Sequence, residues 1–181
     1  KKSWNNFATQ LSAKGWSVLA IDLRGHGEST QNGRLDYTQF NDSEHQLSIR
    51  DVQAAAQWLR LKNCELKGIL GASIGANLAL QYQVQEGFYG KTVLLSPGFD
   101  YYGIQTRPLA ETLQDPQAIF YVGAAKDIRK SGQVCAEVAL ELYRLSPIKN
   151  KQIFISDGAA HGTDLFEAER GLASQLIKWL S

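Results

Sequence analysis

Ser73 is the residue with the clearest chemical potential in this chain of 181 residues. It is the central residue of the sequence Gly-Ala-Ser-Ile-Gly, between an apolar run at 66–70 and a helix-like run at 76–80. A serine at a sharp turn from a strand into a helix projects its hydroxyl out of the sheet. The crowded backbone there requires very small residues two positions before and after it. Gly71 and Gly75 occupy these positions, so Ser73 is a candidate nucleophile.

A serine hydroxyl is a weak nucleophile until an imidazole accepts its proton, and that imidazole needs a carboxylate to fix its tautomer. In a parallel sheet such partners come from the carboxyl ends of the strands. Asp127 and His161 each follow a predicted strand, and the chain order Ser73, Asp127, His161 fits a turn serine served by later strand ends. Asp100 and Asp157 also follow predicted strands, so both stay open as rival acids.

The elements that must position these residues are apolar strand-like segments that alternate with helix-like segments. The predicted strands are residues 17–23, 67–71, 92–96, 118–123 and 152–156. This alternation predicts an α/β fold, with a mostly parallel sheet of about five strands and helices on both faces in three layers. Residues 97–117 are predicted to be loop with one short helix, which leaves no large lid. We expect a single domain over residues 1–181.

Composition excludes several classes of function. The net charge of +1, without a basic block or acidic tail, gives no support for nucleic-acid binding. The longest apolar stretches are strand-sized, so no membrane span is predicted. Cys64 and Cys135 lack the spacing of a metal site and are expected to be unpaired thiols, although a disulfide between them stays open. The default expectation is a soluble, cytoplasmic protein, unless an N-terminal signal has been lost.

Two histidines other than His161 have simpler interpretations. His26 lies between Gly25 and Gly27 and is expected to hold a turn by hydrogen bonds. Thr30 stands where a dinucleotide-binding fingerprint requires its third glycine, so no dinucleotide cofactor is expected. His45 lies in a polar stretch at the start of a predicted helix and is expected to be solvated.

The combination of motifs resembles the α/β-hydrolase superfamily. The residues that carry the resemblance are Asp-Leu-Arg-Gly-His-Gly-Glu-Ser at 22–29, the serine motif, Asp127, and the His-Gly-Thr sequence beginning at His161. Within the superfamily the chain is similar to bacterial serine esterases of the dienelactone-hydrolase and carboxylesterase type, from its first helix to its last residue. The resemblance implies a nucleophile at Ser73, a base at His161, an acid at Asp127 and one oxyanion donor at the Ile74 N–H.

The same resemblance implies a small-molecule acyl ester as substrate, with no cofactor and no metal. Phe99, Tyr101 and Tyr102 fall near the expected site and are candidates to line an acyl or alcohol pocket, with ordinary packing of their loop as the alternative. Thioesterase, lactonase, peptidase or acyltransferase chemistry would use the same residues. A non-catalytic binding or scaffold domain is the alternative from another class, and the oligomeric state stays open.

In the superfamily, the second oxyanion donor comes from a loop directly before the first helix. Here that helix begins almost at Lys1, and no strand lies between the predicted strands at 17–23 and 67–71. We therefore expect these residues to be the larger part of a longer protein, with a five-stranded minimal version, in which those two strands pair directly, as the alternative. Loss of one oxyanion donor lowers the rate by about 100- to 1000-fold, so the isolated chain is expected to be weakly active or inactive.

Overall fold

The structure is a computed structural model that describes all 181 residues, and it contains two compact units, residues 1–66 and 67–181. The first unit holds three α-helices and no strand. These helices are α1 (Asn5–Ser12), α2 (Asp42–Gln46) and α3 (Ile49–Leu61). Short 3₁₀ helices at Lys2–Trp4 and Tyr37–Gln39 complete its regular structure. None of the helices in the chain is both long enough and apolar enough to cross a membrane.

The expectation of a buried strand at 17–23 is wrong. These residues form no hydrogen-bonded ladder, and Val18 and Leu19 are 40% and 36% exposed. A strand requires a neighbour for its backbone N–H and C=O groups, and the first unit contains no other strand. At the end of the segment, the Arg24 guanidinium and backbone N–H instead donate to the Asp51 carboxylate of α3.

The structure confirms the expectation for His26 but not the one for His45. His26 holds its turn as predicted, because its Nδ1 lies 3.0 Å from the Arg24 carbonyl oxygen and its ring stacks on Tyr37 at 3.9 Å. His45 is only 3% exposed, so the expectation that it is solvated is wrong. Its ring packs edge-on against Phe40, and burial lowers the pKa of His45 below its ordinary value.

The second unit contains six strands and five α-helices. In chain order they are β1 (Gly68–Ala72), α4 (Ile74–Gln85), β2 (Lys91–Leu95), β3 (Asp100–Tyr101), β4 (Ile104–Gln105), α5 (Arg107–Glu111), β5 (Ala118–Ala124), α6 (Cys135–Leu145), β6 (Lys151–Ser156), α7 (Leu165–Ala168) and α8 (Leu172–Leu180). Four strands form a parallel sheet in the order β1-β2-β5-β6, and these confirm four of the predicted strands. A small antiparallel hairpin, β3–β4, lies in the segment that was predicted to be loop.

Helices cover both faces of this sheet, as the α/β pattern predicts. On one face, Leu94, Ile119 and Tyr121 pack into a core with buried residues of α4, α5 and α6. On the other face, Phe120 meets Trp179 of α8 edge-on, with ring centroids 5.5 Å apart. Side chains alternate between the two faces of a strand, so neighbouring residues of β5 serve both cores. The parallel strands therefore bring their carboxyl ends together at one edge of the unit.

Candidate active site

The turn from β1 into α4 has the strained geometry that the serine motif predicts. Ser73 has φ 55° and ψ −125°, a backbone conformation that non-glycine residues rarely adopt. Strain of this kind costs about 1–3 kcal/mol and persists only where the surrounding structure enforces it. The Ser73 N–H donates to the Leu95 carbonyl at 2.9 Å, which ties the turn to the end of β2.

The two glycines of the motif have different roles. A Cβ atom added to Gly71 would lie 1.9 Å from the Gly75 carbonyl oxygen and 2.6 Å from the Ala76 nitrogen. Backbone atoms cannot move aside as a flexible side chain can, so only glycine fits at position 71. A Cβ atom added to Gly75 would meet nothing within 4 Å. The expectation that both positions must be very small therefore holds for Gly71 alone.

Asp127 and His161 form a hydrogen-bonded pair. Asp127 follows β5 and is 4% exposed, and His161 follows β6 with its side chain 25% exposed. The His161 Nδ1 lies 2.6 Å from the Asp127 Oδ2. The carboxylate selects the tautomer in which Nδ1 carries the proton, which leaves the lone pair on Nε2. This Nε2 atom is buried and has no hydrogen-bond partner.

Asp127 is held as a carboxylate by several donors. Burial disfavours its charged form, but hydrogen bonds from the side chains of Cys135, His161 and Ser96 outweigh burial and hold the pKa of Asp127 below its ordinary value of 3.8. The Arg129 guanidinium adds a longer ion pair, with Nη1 3.5 Å from Oδ1. Asp127 can therefore stabilise a positive charge that develops on its histidine partner.

Ser96 connects the parts of the site. It is fully buried just after β2, and its Oγ accepts a hydrogen bond of 2.9 Å from the Gly162 N–H, next to the histidine. Its hydroxyl also contributes to the hydrogen bonding of Asp127. In addition, a Cβ atom on Gly162 would lie only 3.3 Å from the Cβ of Ala72. The loop that carries the histidine thus contacts the residue directly before Ser73.

The sequence argument did not assign Ser96 or Cys135 to this site. Ser96 ends a predicted strand, and that position was the available signal, whereas nothing in the spacing of Cys135 indicates its place. Both Cys64 and Cys135 are free cysteines. Burial raises the pKa of Cys135 to about 12, with a further contribution from Asp127. Ligand atoms of Asp127, Cys135 and His161 lie within 4.8 Å of one another, but hydrogen bonds of a protonated thiol and an imidazole account for this cluster without a metal ion.

The rival acids lie apart from the imidazole. Asp100 and Asp157 are both exposed, and neither forms a hydrogen bond with His161. The Asp100 Oδ1 instead accepts a hydrogen bond of 2.6 Å from the Gly103 N–H and stabilises the turn between β3 and β4. Asp127 is therefore the carboxylate that the fold pairs with the histidine.

The predicted pocket and oxyanion residues have varied surroundings. Ile74 is the first residue of α4, where a backbone N–H has no acceptor within its own helix. Phe99 packs against the core, with the Arg107 guanidinium 3.4 Å above its ring. Tyr102 lies in the hairpin turn with its side chain 45% exposed. Tyr101 is the pocket candidate whose side chain lies beside the Ser73 hydroxyl.

Comparison with known proteins identifies the family. Residues 2–126 match the family model described as serine aminopeptidase S33, a family of α/β-hydrolases. The chain belongs to this family. The superfamily that the sequence motifs indicate is therefore confirmed. No curated protein matches the chain significantly in sequence.

Solved structures of α/β-hydrolases share the fold at low sequence identity. An esterase of Pyrococcus furiosus is 18% identical, with a TM-score of 0.71 over 99% of this chain and 73% of that one. A monoacylglycerol lipase of Paleococcus ferrophilus is 14% identical, with a TM-score of 0.72 over 99% of this chain and 89% of that one. A carboxyl esterase of Bacillus coagulans is 13% identical, with a TM-score of 0.72 over 100% of this chain and 86% of that one.

The unequal roles of the two glycines can be tested by substitution. We expect Gly71→Ala to lower the free energy of unfolding by about 3 kcal/mol or more, because its Cβ would overlap rigid backbone. Gly75→Ala is the matched control, and we expect it to stay within about 1 kcal/mol of the wild type because alanine is accepted in a helix. Chemical denaturation measures both values. Equal losses in the two variants would show that the close approach at Gly71 is not the constraint.

The hydrogen bonds to Asp127 predict a pH-dependent contribution to stability. Because its pKa is lower in the folded chain than the ordinary value of 3.8, the contribution is complete above that pH and is lost as pH falls through the folded pKa. We expect Asp127→Asn to melt at a lower temperature than wild type at pH 7, and the difference to shrink below about pH 4. Thermal unfolding from pH 3 to pH 7 measures this difference. A difference that is constant over the range would contradict it.

Proposed function

We propose that this protein is a serine hydrolase that cleaves carboxylic esters through an acyl-enzyme on Ser73. The observation that carries the proposal is the Asp127–His161 hydrogen bond of 2.6 Å, in a unit whose serine occupies a strained strand-to-helix turn. Structural relatives named as esterases and a lipase support an ester as the substrate class. Their low identity leaves the acyl and alcohol groups to experiment.

In the acylation step, the Ser73 Oγ attacks the ester carbonyl carbon and its proton passes to the His161 Nε2. Asp127 holds the imidazole through Nδ1 and stabilises the imidazolium that forms. The Ile74 N–H, which has no acceptor within α4, donates to the oxyanion. When the tetrahedral intermediate collapses, the carbon–alkoxy bond breaks, and the alkoxy oxygen takes the proton from Nε2 and leaves as an alcohol.

In the deacylation step, water replaces the alcohol. His161 accepts a proton from this water as its oxygen attacks the acyl carbon, and a second tetrahedral intermediate forms on Ser73. Its collapse breaks the bond between the acyl carbon and the serine oxygen. The proton returns to that oxygen, and the carboxylic acid is released. The free enzyme is thereby restored with a neutral imidazole.

The proposed nucleophile can be tested with an alkyl fluorophosphonate, which reacts with activated serines. We expect mass spectrometry to find the adduct on the peptide that contains Ser73, and Ser73→Ala to abolish it. Ser174→Ala is the control, because Ser174 lies exposed in α8, and we expect it to label like the wild type. Labelling that survives Ser73→Ala, or a wild-type chain that never labels, would refute the proposal and favour a non-catalytic binding domain.

The proposed acid can be tested against its nearest rival. We expect Asp127→Asn to lower kcat for a short-chain ester by roughly 100-fold or more, because an amide partner no longer fixes the productive tautomer. Asp100→Asn keeps an acceptor oxygen for the Gly103 N–H and removes only the charge in the hairpin turn, and we expect a change of about threefold or less. Steady-state kinetics on both variants measures this. The opposite ranking would move the acid to the hairpin.

Amide hydrolysis is the alternative reaction within the same mechanism. The matched family model is described as a serine aminopeptidase, which favours this alternative. An acyl-enzyme on Ser73 forms from an ester or an amide, and the leaving group is the difference between the two. Comparing kcat/KM for an ester and an aminoacyl anilide of the same acyl group decides between them.

A further inference from the structure

Tyr101 carries a buried hydroxyl that the catalytic scheme above does not use. The oxygen is shielded from solvent and has no hydrogen-bond partner. Against the larger effect of burial, interaction with the Ser73 hydroxyl lowers the pKa of Tyr101, which places the two side chains next to each other, but they do not reach the distance and angle of a formed hydrogen bond. An unpaired buried hydroxyl costs about 1–3 kcal/mol, and few native structures retain one. A donor left unpaired beside the candidate nucleophile has a use there if a bound substrate supplies the acceptor.

The Tyr101 ring is held in place before any substrate binds. It lies against Gly98 so closely that a Cβ atom added at that position would be 2.7 Å from the ring. Asn77 of α4 is fully buried and fixes Gly98, accepting from its N–H at 3.1 Å and donating to its carbonyl at 3.1 Å. Asn77 also donates to the Ile104 carbonyl at 2.8 Å, on the partner strand of the hairpin. The helix that begins beside the serine thus sets the position of the tyrosine.

The Tyr101 hydroxyl interacts with the groups around Asp127 as well as with the Ser73 side chain. The charged or ionisable groups that act on Tyr101 include Cys135, Arg129 and Asp127, all of which belong to the surroundings of the histidine's partner. In the proposed scheme the leaving group takes its proton from His161, which Asp127 holds, so the alkoxy oxygen is expected to face these same groups. Burial is the largest influence on the hydroxyl and raises the pKa of Tyr101 above its ordinary value. The phenol therefore keeps its proton at neutral pH and can act as a donor.

We propose that the Tyr101 hydroxyl donates a hydrogen bond to the alkoxy oxygen of the bound ester, the atom that leaves the acyl carbon as part of the alcohol. This inference rests on the proposed ester hydrolysis. As the carbon–alkoxy bond breaks, its electron pair goes to the alkoxy oxygen, which receives its proton from His161. Tyr101 stabilises the charge on that oxygen and keeps its own proton. Tyr101 is therefore a catalytic residue on the leaving-group side, in addition to the apolar contact that its ring makes.

The role of a leaving-group donor depends on the alcohol. Alcohols of high pKa are poor leaving groups and need the hydrogen bond, whereas p-nitrophenol leaves without such help. We therefore expect Tyr101→Phe to lower kcat/KM for an ethyl ester by roughly 10-fold or more. For the p-nitrophenyl ester of the same acid we expect a loss of about threefold or less. Phenyl and trifluoroethyl esters should fall between them, so that the plot of log kcat/KM against the pKa of the alcohol becomes steeper.

Two further measurements keep the test decisive. Tyr89→Phe is the control, because Tyr89 is 64% exposed, and we expect it to give the same slope as the wild type. The melting temperature of Tyr101→Phe should equal or exceed that of the wild type, since the substitution removes a hydroxyl that has no partner. A loss equal for all four esters, no loss at all, or a melting temperature several degrees lower would overturn the proposal. Failure of the proposed function gives a different result, because ester hydrolysis that does not depend on Ser73 would persist in Ser73→Ala.

Discussion

The close approach between the backbone of Gly71 and the Gly75 carbonyl is the constraint on which the geometry of the site depends. With 1.9 Å between that oxygen and the place of a Cβ atom, the chain can turn from strand to helix within a few residues only because no side chain stands there. This sharp turn holds Ser73 at a φ of 55°. Its hydroxyl is therefore presented by backbone that has little freedom to relax.

Asp127 and His161 are positioned by the parallel sheet. Strands β2, β5 and β6 run in the same direction, so the segments that follow them meet at one edge. Ser96 connects these segments, since it accepts from the Gly162 N–H and takes part in the hydrogen bonding of Asp127. Ser96 thus links Asp127 to the loop that carries His161, and the Ser73 N–H is bonded to the carbonyl of Leu95, the residue directly before Ser96.

Much of this arrangement could be predicted from the sequence, because local patterns determine it. Apolar runs and glycine spacing were sufficient for four strands and the serine turn, and chain order selected Asp127 and His161. Contacts between distant residues were harder to predict. Ser96 and Cys135 carry no local pattern that indicates a contact with Asp127, and the burial of His45 depends on Phe40 packing against it. The segment 17–23 has the composition of a strand, but a strand also needs a neighbour to pair with.

The anchoring of the β3–β4 hairpin by Asn77 has a consequence for how such a protein can diverge. Its base is fixed to α4 by three hydrogen bonds with one buried amide, which donates two and accepts one, and its turn projects an exposed Tyr102. Residues of the turn could therefore be replaced without moving the helix that begins beside Ser73. The hairpin is a segment in which selection, or an engineer, can vary the surface while the strand-to-helix turn at Ser73 is inherited intact.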